Sequence, residues 1–271
     1  MYEPNAKDVM MLRNKTGLPM MACKAALIEA TGDLEKAEEI LRKQLKGKME
    51  SRTDRVAGEG RVSISIGNGA ASIIEFRAET DFTAKNEKFV AAAQKMADDV
   101  LNASAAGPVA ESPAIKALVE DLKISTGENC SYARGVKLTA AAGESFGFYI
   151  HHDGKTGVLI KASGSVSQET LKQIGMHVTA AVPRPQGITA DDIPASIVDK
   201  ERAFRIAQAM ESGKPKEIAE KMVEGGMKKF FAEIALMEQP FVVDPTKTVK
   251  DIVGSSGKVL QFLRWQVGEQ V

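Results

Sequence analysis

The pattern that most constrains the fold of this chain is a predicted hairpin followed by an amphipathic helix, which occurs twice. In the first copy, residues 62–76 alternate around Gly67-Asn68-Gly69, which has the composition of a tight turn, and helical spacing of apolar residues follows over 89–101. In the second copy, residues 146–162 form the predicted hairpin and a helix follows Ser167. Two such copies predict an α+β fold whose core consists of two related subdomains.

The first 46 residues have a different pattern, in which apolar residues recur at helical spacing in three short segments. Thr16-Gly17-Leu18-Pro19 and Thr31-Gly32-Asp33 separate these segments, and Asp33 is a candidate N-cap for the third. Residues 1–46 therefore predict a bundle of three helices. Residues 47–60 are polar and charged, and they predict a linker whose start can be helical.

The remaining chain divides into core subdomain N over residues 61–142 and core subdomain C over residues 143–271. Subdomain C contains a long charged helical segment over 195–212 and a second helix after Gly213-Lys214-Pro215. Two helices joined by so short a turn must be antiparallel. We therefore expect a helical hairpin, inserted into subdomain C at about 188–230.

Composition and charge exclude several classes of protein. The chain has 36 Lys and Arg against 36 Asp and Glu, so it lacks the basic excess that phosphate contacts require, and we expect no direct nucleic acid partner. The two cysteines, Cys23 and Cys130, provide neither a disulfide framework nor zinc-ligand spacing. The segment from Met1 to Lys15 is charged, and no apolar run reaches the length of a membrane span. A reducing cytoplasm without a membrane partner is the expected setting.

The sequence contains no set of residues that forms a convincing active site. Gly254-Ser255-Ser256-Gly257-Lys258 lacks the spacing and the hydroxyl residue of a phosphate loop, and a helix-to-strand connection is the better interpretation. His151 and His152 are neighbours at a hairpin and should point to opposite faces, so they would not easily share a metal ion. His177 lies beside the apolar face of a helix, as a packing histidine does. The sequence therefore predicts no catalytic residue, no cofactor and no metal, and a protein that acts by binding.

Several segments, taken in order along the chain, resemble the elongation factor Ts family. The most specific segments are Thr16 to Leu27 with Ala30-Thr31-Gly32-Asp33, and Glu79 to Phe89. The others are Gly127-Glu128-Asn129, Met176-His177-Val178, Gly213-Lys214-Pro215, Glu217 to Gly225, and Gln239-Pro240-Phe241. The resemblance implies a UBA-like N-terminal bundle and a two-part core carrying a helical hairpin. It also implies a guanine nucleotide exchange factor of translation, whose partner is elongation factor Tu, contacted at its GTPase domain and a further domain.

The resemblance also implies which residues contact that partner. In the core these are Thr80, Asp81, Phe82, Gly127 and His151, and in the N-terminal bundle Arg13, Met20 and Met21. In the family, the Asp81-Phe82 pair enters the partner near its magnesium and phosphate site and so weakens diphosphate binding. From the residues alone, a local role is also open, in which Asp81 caps a helix and Phe82 packs on that helix.

The sequence departs from the family pattern in places, and two rival functions are open. Gly226 stands where many members carry Arg, and we assign no role to Gly226 or His152. The sequence ends at Val271, soon after the final strand, so we expect no contact from the C-terminal helical module of some relatives. The rival functions are a translation-associated protein that binds RNA or nascent chains, and a small enzyme with His151 or His177 as its base.

Overall fold

The computed structural model of the chain describes residues 2–50, 55–67, 69–211, 213 and 215–269, with the side chains of 45–50 and 216 left aside. It has the predicted α+β fold. The chain forms two compact units, and the first consists of residues 1–65, 72–137 and 266–271. The second consists of residues 66–71 and 138–265. The predicted turn residue Asn68 and the predicted linker residues 51–54 lie outside the described residues, as do Ser212 and Lys214 near the predicted hairpin turn.

The long helices and strands follow one another in the order that the sequence predicts. The helices are α1 (Ala6–Thr16), α2 (Met20–Glu29), α3 (Leu34–Glu50), α4 (Asp81–Lys85), α5 (Glu87–Leu101), α6 (Pro113–Thr126), α7 (Gln168–Ala180), α8 (Ala195–Glu211), α9 (Lys216–Ile234) and α10 (Val249–Val253). The strands are β1 (Glu59–Gly67), β2 (Ala70–Ala78), β3 (Gly107–Pro108), β4 (Ser131–Thr139), β5 (Glu144–Ile150), β6 (Thr156–Gly164) and β7 (Gly257–Gln266).

The N-terminal bundle of the first unit has well-defined helix ends. Asn5 caps α1 by accepting a hydrogen bond from the Asp8 backbone N–H at 2.8 Å, and Gly17 ends the helix with a left-handed φ of 75°. The carboxylate of Asp33 accepts the backbone N–H groups of Glu35 and Lys36, which confirms the predicted N-cap. The bundle buries one apolar cluster against which Ile124 of α6 also packs, and its buried members are Val9, Leu12, Leu18, Cys23, Ala26, Leu27, Ala30, Ala37 and Leu41.

The core of the first unit is a four-stranded sheet in the order β1-β2-β4-β3, with α5 and α6 contributing to its buried face. The apolar stripe of α5 packs on β2, where the rings of Phe76 and Phe89 stack with their centroids 4.2 Å apart. β2 and β4 are neighbours in this sheet. The segment that leaves β2 at Ala78 lies close to the segment that enters β4 at Ser131, because the Asn129 backbone N–H donates to the carboxylate of Glu79.

The second unit contains a three-stranded sheet in the order β5-β6-β7, and β5 pairs with β6 in antiparallel register from Glu144–Ser163 to Ile150–Gly157. Helix α7 packs on this sheet through Leu171, Ile174 and Val178. The arrangement matches the predicted second copy of a hairpin followed by a helix.

Helices α8 and α9 form the predicted antiparallel hairpin. Ala209, near the end of α8, packs with Val223 and Met227 in the middle of α9. Val198, near the start of α8, packs with Phe230 and Phe231 near the end of α9. This crossed order of contacts requires antiparallel helices.

Two short elements differ from the sequence-based predictions. Residues 79–86 showed no periodic pattern, yet Asp81–Lys85 forms the helix α4. Residues 107–113 have the composition of a loop, yet Gly107 and Pro108 pair with Lys137 and Val136 as the short strand β3. Both elements span too few residues to produce a recognisable period.

Candidate functional site

Phe82 is an exposed aromatic residue on a short helix. Its side chain is 84% exposed, whereas the next two residues, Thr83 and Ala84, are 8% and 5% exposed. The ring does not pack on its own helix, so the local role considered for Phe82 is wrong. The residues that follow the ring are those that attach α4 to the first unit.

Thr80, rather than Asp81, is the N-cap of α4. Its hydroxyl oxygen accepts the Thr83 backbone N–H at 3.3 Å, and its backbone is extended, as N-cap residues are. Asp81 is instead the first residue of the helix, where its carboxylate accepts a hydrogen bond from Lys85 Nζ at 2.6 Å. The capping role considered as an alternative for Asp81 is therefore wrong, and Asp81 presents a half-exposed carboxylate beside the ring of Phe82.

Thr80 is also held from a distant part of the chain. Its backbone N–H donates to Glu128 Oε2 at 3.1 Å, and its hydroxyl donates to Glu128 Oε1 at 2.7 Å. The hydroxyl thus donates to one residue and accepts from another, which fixes its rotamer. The N-cap residue of α4 is therefore bound both to its own helix, through Thr83, and to the distant residue Glu128.

Glu79 makes the reciprocal contact. Its Oε1 accepts the Asn129 backbone N–H at 2.6 Å, and its Oε2 lies 3.3 Å from Arg55 Nη1. The Asn129 side chain, which is buried, donates from Nδ2 to the carbonyl oxygen of Arg55 at 2.7 Å. These contacts join the segment before α4 to the segment before β4 and to the chain that enters β1.

Gly127 lies directly before this second segment and ends α6. Its φ of 72° is in the left-handed region, and its N–H donates to the carbonyl of Lys123. A glycine is favoured here for backbone reasons alone, because this conformation strains other residues. The structure thus brings Thr80 and the segment of Gly127 together, while the role of Gly127 in partner contact stays a prediction.

The predicted contact residues of the N-terminal bundle are all exposed. Arg13 lies in the last turn of α1. Met20 and Met21 form the first turn of α2 and are 46% and 75% exposed.

His151 and His152 lie in the turn between β5 and β6, and their placement corrects one prediction. Their ring centroids are 4.2 Å apart with an interplanar angle of 59°, so the rings are neighbours and do not point to opposite faces. The alternation ends because β5 ends at Ile150. His151 Nδ1 lies 3.2 Å from the hydroxyl of Tyr149, while His152 is exposed. Among the described residues, no group of three or more His, Cys, Asp or Glu side chains is arranged to hold a metal ion.

His177 is a buried packing residue, as predicted. Its Nε2 lies 2.9 Å from Gln239 Oε1, and its Nδ1 accepts the Val242 backbone N–H at 3.2 Å. It lines a cavity of about 460 Å³. Burial lowers the pKa of its imidazole, which is opposed by the hydrogen bond to Gln239. With both ring nitrogens engaged, His177 is unsuited to act as a general base.

Other candidates for chemistry also have structural explanations. Burial raises the pKa of the Cys130 thiol to about 12, which leaves little thiolate for nucleophilic attack. The segment from Gly254 to Lys258 leads from α10 into the first residues of β7, which is the helix-to-strand connection that the sequence predicted. A Cβ atom at Gly226 would lie 2.5 Å from Nη1 of Arg205, so this glycine leaves space for an arginine of the facing helix.

Glu79 and Glu128 are the site residues that sequence reasoning missed. Both lie inside segments that carry the family resemblance, but neither has a local pattern that reveals a long-range partner. Only the adjacency of β2 and β4 would have indicated the contact. Among the described residues, no helix has the length and apolar character needed to cross a bilayer.

Comparison with known proteins identifies the family. The family model described as elongation factor TS matches residues 79–269. The chain is 42% identical over 261 residues to elongation factor Ts of Vibrio cholerae, covering 96% of this chain and 90% of the relative. The chain belongs to the elongation factor Ts family. Family members from Pasteurella multocida and Thioalkalivibrio sulfidiphilus are 42% and 41% identical, over 100% and 98% of this chain and 94% and 92% of the relatives.

The region that matches the elongation factor Ts model begins at Glu79, the first residue of the segment that carries Phe82. The N-terminal bundle precedes that region, but the relatives align with nearly the whole chain. Membership of the elongation factor Ts family makes this chain a translation elongation factor.

Proposed function

We propose that this chain is a guanine nucleotide exchange factor that binds elongation factor Tu in its GDP-bound form and promotes release of GDP. The observation that carries the proposal is Phe82, an aromatic ring that is 84% exposed on a helix whose N-cap residue donates two hydrogen bonds to Glu128. Exposed aromatic side chains of this kind act as anchors in partner pockets, because they bury a large area and lose little conformational entropy. The chain acts by binding and is not an enzyme in the usual sense.

The proposed mechanism is displacement at the partner's nucleotide site. The ring of Phe82 enters the GTPase domain near the magnesium and phosphate site, with the carboxylate of Asp81 beside it. Side chains that hold magnesium are displaced, and the diphosphate that the ion neutralises is bound less tightly. Gly127 of the first unit and His151 of the second unit each add a contact with the partner, and a further domain of the partner is also bound by the core.

Exchange of this kind needs no energy input. The exchange factor and the nucleotide each bind the GTPase, and at equilibrium each lowers the affinity of the other in the same proportion. About 1.4 kcal/mol of coupling changes nucleotide affinity tenfold. GTP, once bound, displaces the factor in turn, and the cycle continues.

The N-terminal bundle has a separate part in the proposal. Arg13, Met20 and Met21 dock on the GTPase domain and hold the complex together, while the core changes the nucleotide site. We place the boundaries of the bundle, linker and two subdomains at 1–46, 47–60, 61–142 and 143–271. Because translation takes place in the cytoplasm, we expect the chain to act there, with no direct contact to nucleic acid or membrane.

The test is a measurement of nucleotide release. Elongation factor Tu is loaded with a fluorescent GDP analogue, mixed with the chain and excess unlabelled GDP, and the fluorescence decay is recorded over a range of factor concentrations. We expect the chain to accelerate release, and Phe82→Ala to reduce the maximal rate about tenfold or more, as removal of a central aromatic anchor does.

Phe204→Ala is the matched control. Phe204 is also an exposed aromatic residue, 62% exposed on α8, and has no proposed contact with the nucleotide site. Its substitution should leave the maximal release rate unchanged. If Phe82→Ala releases GDP as fast as the unmodified chain, the displacement mechanism is wrong.

A further inference from the structure

The cap of α4 is built from two separate parts of the chain. In a capping box, the residue at the third helical position turns back and accepts the backbone N–H of the N-cap residue. Among the described residues, Thr189 with Asp192 and Thr248 with Asp251 form such boxes locally. At α4 the third helical position is Thr83, which is buried and lacks a carboxylate. Glu128 takes the place of that carboxylate, across 48 residues of sequence.

The geometry of this distant carboxylate matches that of the local boxes. In the box of Thr248, one Asp251 oxygen accepts both the backbone N–H and the hydroxyl, each at 2.8 Å. In α4, the two oxygens of Glu128 divide the same two donors of Thr80, at 3.1 and 2.7 Å. Glu128 therefore supplies a complete capping interaction, and it also ties α4 to the start of β4.

Helix α4 needs this external support. It has five residues. A helix of that length is not stable by itself, because the free-energy cost of nucleation exceeds the stabilisation from the hydrogen bonds of a single turn. Phe82 contributes no packing that could hold it, since the ring is exposed. Its orientation depends on the burial of Thr83 and Ala84 and on the fixed cap.

We propose that Glu128 is a positioning residue for Phe82, and that Glu79 assists it through the reciprocal hydrogen bond to Asn129. The inference rests on the proposed function, in which Phe82 enters the partner. By fixing Thr80, Glu128 holds the ring in its binding orientation before the partner arrives. Binding then does not have to order the helix, and the interaction of the ring is available for displacement of the nucleotide.

The first variant is Glu128→Gln, which keeps the size of the side chain and removes one acceptor. The amide oxygen can accept a hydrogen bond from either the backbone N–H or the hydroxyl of Thr80. The amide nitrogen, which is itself a donor, then faces the other of these two donors. We expect the maximal rate of GDP release to fall about fivefold or more, the size of effect that loss of one charge-assisted hydrogen bond produces. Glu79→Gln, which weakens the reciprocal bond to Asn129, should act in the same direction and serves if Glu128→Gln does not fold.

The decisive measurement is the double variant with Phe82→Ala. If Glu128 acts through the ring, Glu128→Gln slows release in the unmodified chain and has no further effect once the ring is absent. A general loss of stability would slow release in both backgrounds. Asp251→Asn is the matched control, because it changes an equivalent carboxylate–threonine cap at α10, and it should leave the release rate unchanged.

The outcomes separate this inference from the proposed function. If Phe82→Ala slows release and Glu128→Gln does not, the positioning role is wrong while the exchange function stands. Equal slowing by Glu128→Gln with and without the ring also overturns the positioning role. If Phe82→Ala itself has no effect, the displacement mechanism fails, and the positioning role fails with it. Slowing only in the presence of the ring supports both.

Discussion

His177 on α7 and Gln239, which precedes α10, form a buried hydrogen bond in which Nε2 of the imidazole lies 2.9 Å from Oε1 of the amide. The other ring nitrogen accepts the Val242 backbone N–H, so the proton of the neutral imidazole is on Nε2 and is donated to Gln239. The amide nitrogen of Gln239 in turn donates to the carbonyl oxygens of Pro183 and Glu233. The tautomer of His177 is therefore fixed by its surroundings.

The first prediction is a loss of stability of the chain below neutral pH. Protonation of His177 would place a proton on Nδ1, which faces the Val242 N–H, and would put a charge in a buried site. The folded state accordingly lowers the pKa of His177 below its usual value of about 6.5. The unfolded chain binds this proton more readily than the folded chain. The stability that the neutral form of His177 gives the folded state is therefore fully present above about pH 6.5, and it is lost as the pH falls below that value. The loss from one proton is limited to about 1.4 kcal/mol per pH unit.

Urea unfolding at pH 7.5 and pH 5.5 measures this effect. His177→Gln serves as the comparison, because glutamine retains polar groups but does not titrate. We expect the variant to be less stable at pH 7.5 and to lose less stability on acidification than the unmodified chain. Parallel losses in the two proteins would show that His177 is not the group responsible.

The second prediction concerns the close contact between α7 and β5. A Cβ atom at Gly147 would overlap Cβ of Leu171, and one at Gly175 would lie 2.6 Å from Cβ of Tyr149. Each glycine therefore allows the facing element to approach. Gly147→Ala should lower the free energy of unfolding by about 1–3 kcal/mol, as overpacking of a filled site does.

Gly225→Ala should change the free energy of unfolding in the opposite direction. Gly225 lies inside α9, and a Cβ atom there would meet no atom of the described residues within 4 Å. Alanine is favoured over glycine in a helix by about 0.5–1 kcal/mol, so this variant should be more stable. Urea unfolding of both variants checks the prediction, which fails if both substitutions change stability in the same direction.

The sequence predicts the long elements of the fold because their periodicity extends over several turns or residue pairs. Helix α5 is an example, since its apolar stripe from Phe89 to Val100 is also its buried face. Helix α4 was not predicted, because it has five residues and its most apolar side chain, Phe82, faces away from the core. A pattern of burial cannot reveal a helix whose largest apolar residue is exposed.

The candidate site was predictable only in part, for a related reason. The residues on either side of Phe82 and the segment from Gly127 to Asn129 could be recognised by resemblance. Their mutual hydrogen bonds could not, because the pairing of Glu128 with Thr80 follows from strand order rather than from sequence spacing. The rings of His151 and His152 were misplaced because alternation was assumed to continue into a turn.

The third prediction concerns the buried carboxylate of Glu75. It is fully buried, and it accepts hydrogen bonds from Arg77 Nε and Arg134 Nε at 2.7 Å each and from the Gly268 backbone N–H at 2.9 Å. Removing one member of a buried ionic group leaves the remaining charges uncompensated. Glu75→Ala should therefore destabilise the chain by about 3–5 kcal/mol, measured by urea unfolding.

Glu39 provides the contrast. Its carboxylate also lies 2.7 Å from a cation, Lys43 Nζ, but both side chains are mostly exposed on α3. Exposed ion pairs contribute little to stability, so Glu39→Ala should leave the midpoint of unfolding nearly unchanged. Comparable effects of Glu75→Ala and Glu39→Ala would contradict the prediction that burial, rather than distance, determines the cost.

The fourth prediction separates the two parts of the proposed partner surface. Met21 is 75% exposed at the start of α2, and in the proposal it contributes to docking without touching the nucleotide site. Interactions of this type are made equally before and during displacement, so their loss weakens binding and leaves the maximal rate intact. Met21→Ala should raise the factor concentration needed for half-maximal GDP release about tenfold, the cost of removing one well-buried methionine from an interface.

Met210→Ala is the control for this prediction, because it changes a methionine that is 73% exposed on α8 and lies outside the proposed docking surface. It should leave both the half-maximal concentration and the maximal rate unchanged. A fall in the maximal rate for Met21→Ala would instead show that the N-terminal bundle takes part in displacement, because only interactions that strengthen while the nucleotide leaves can alter that rate.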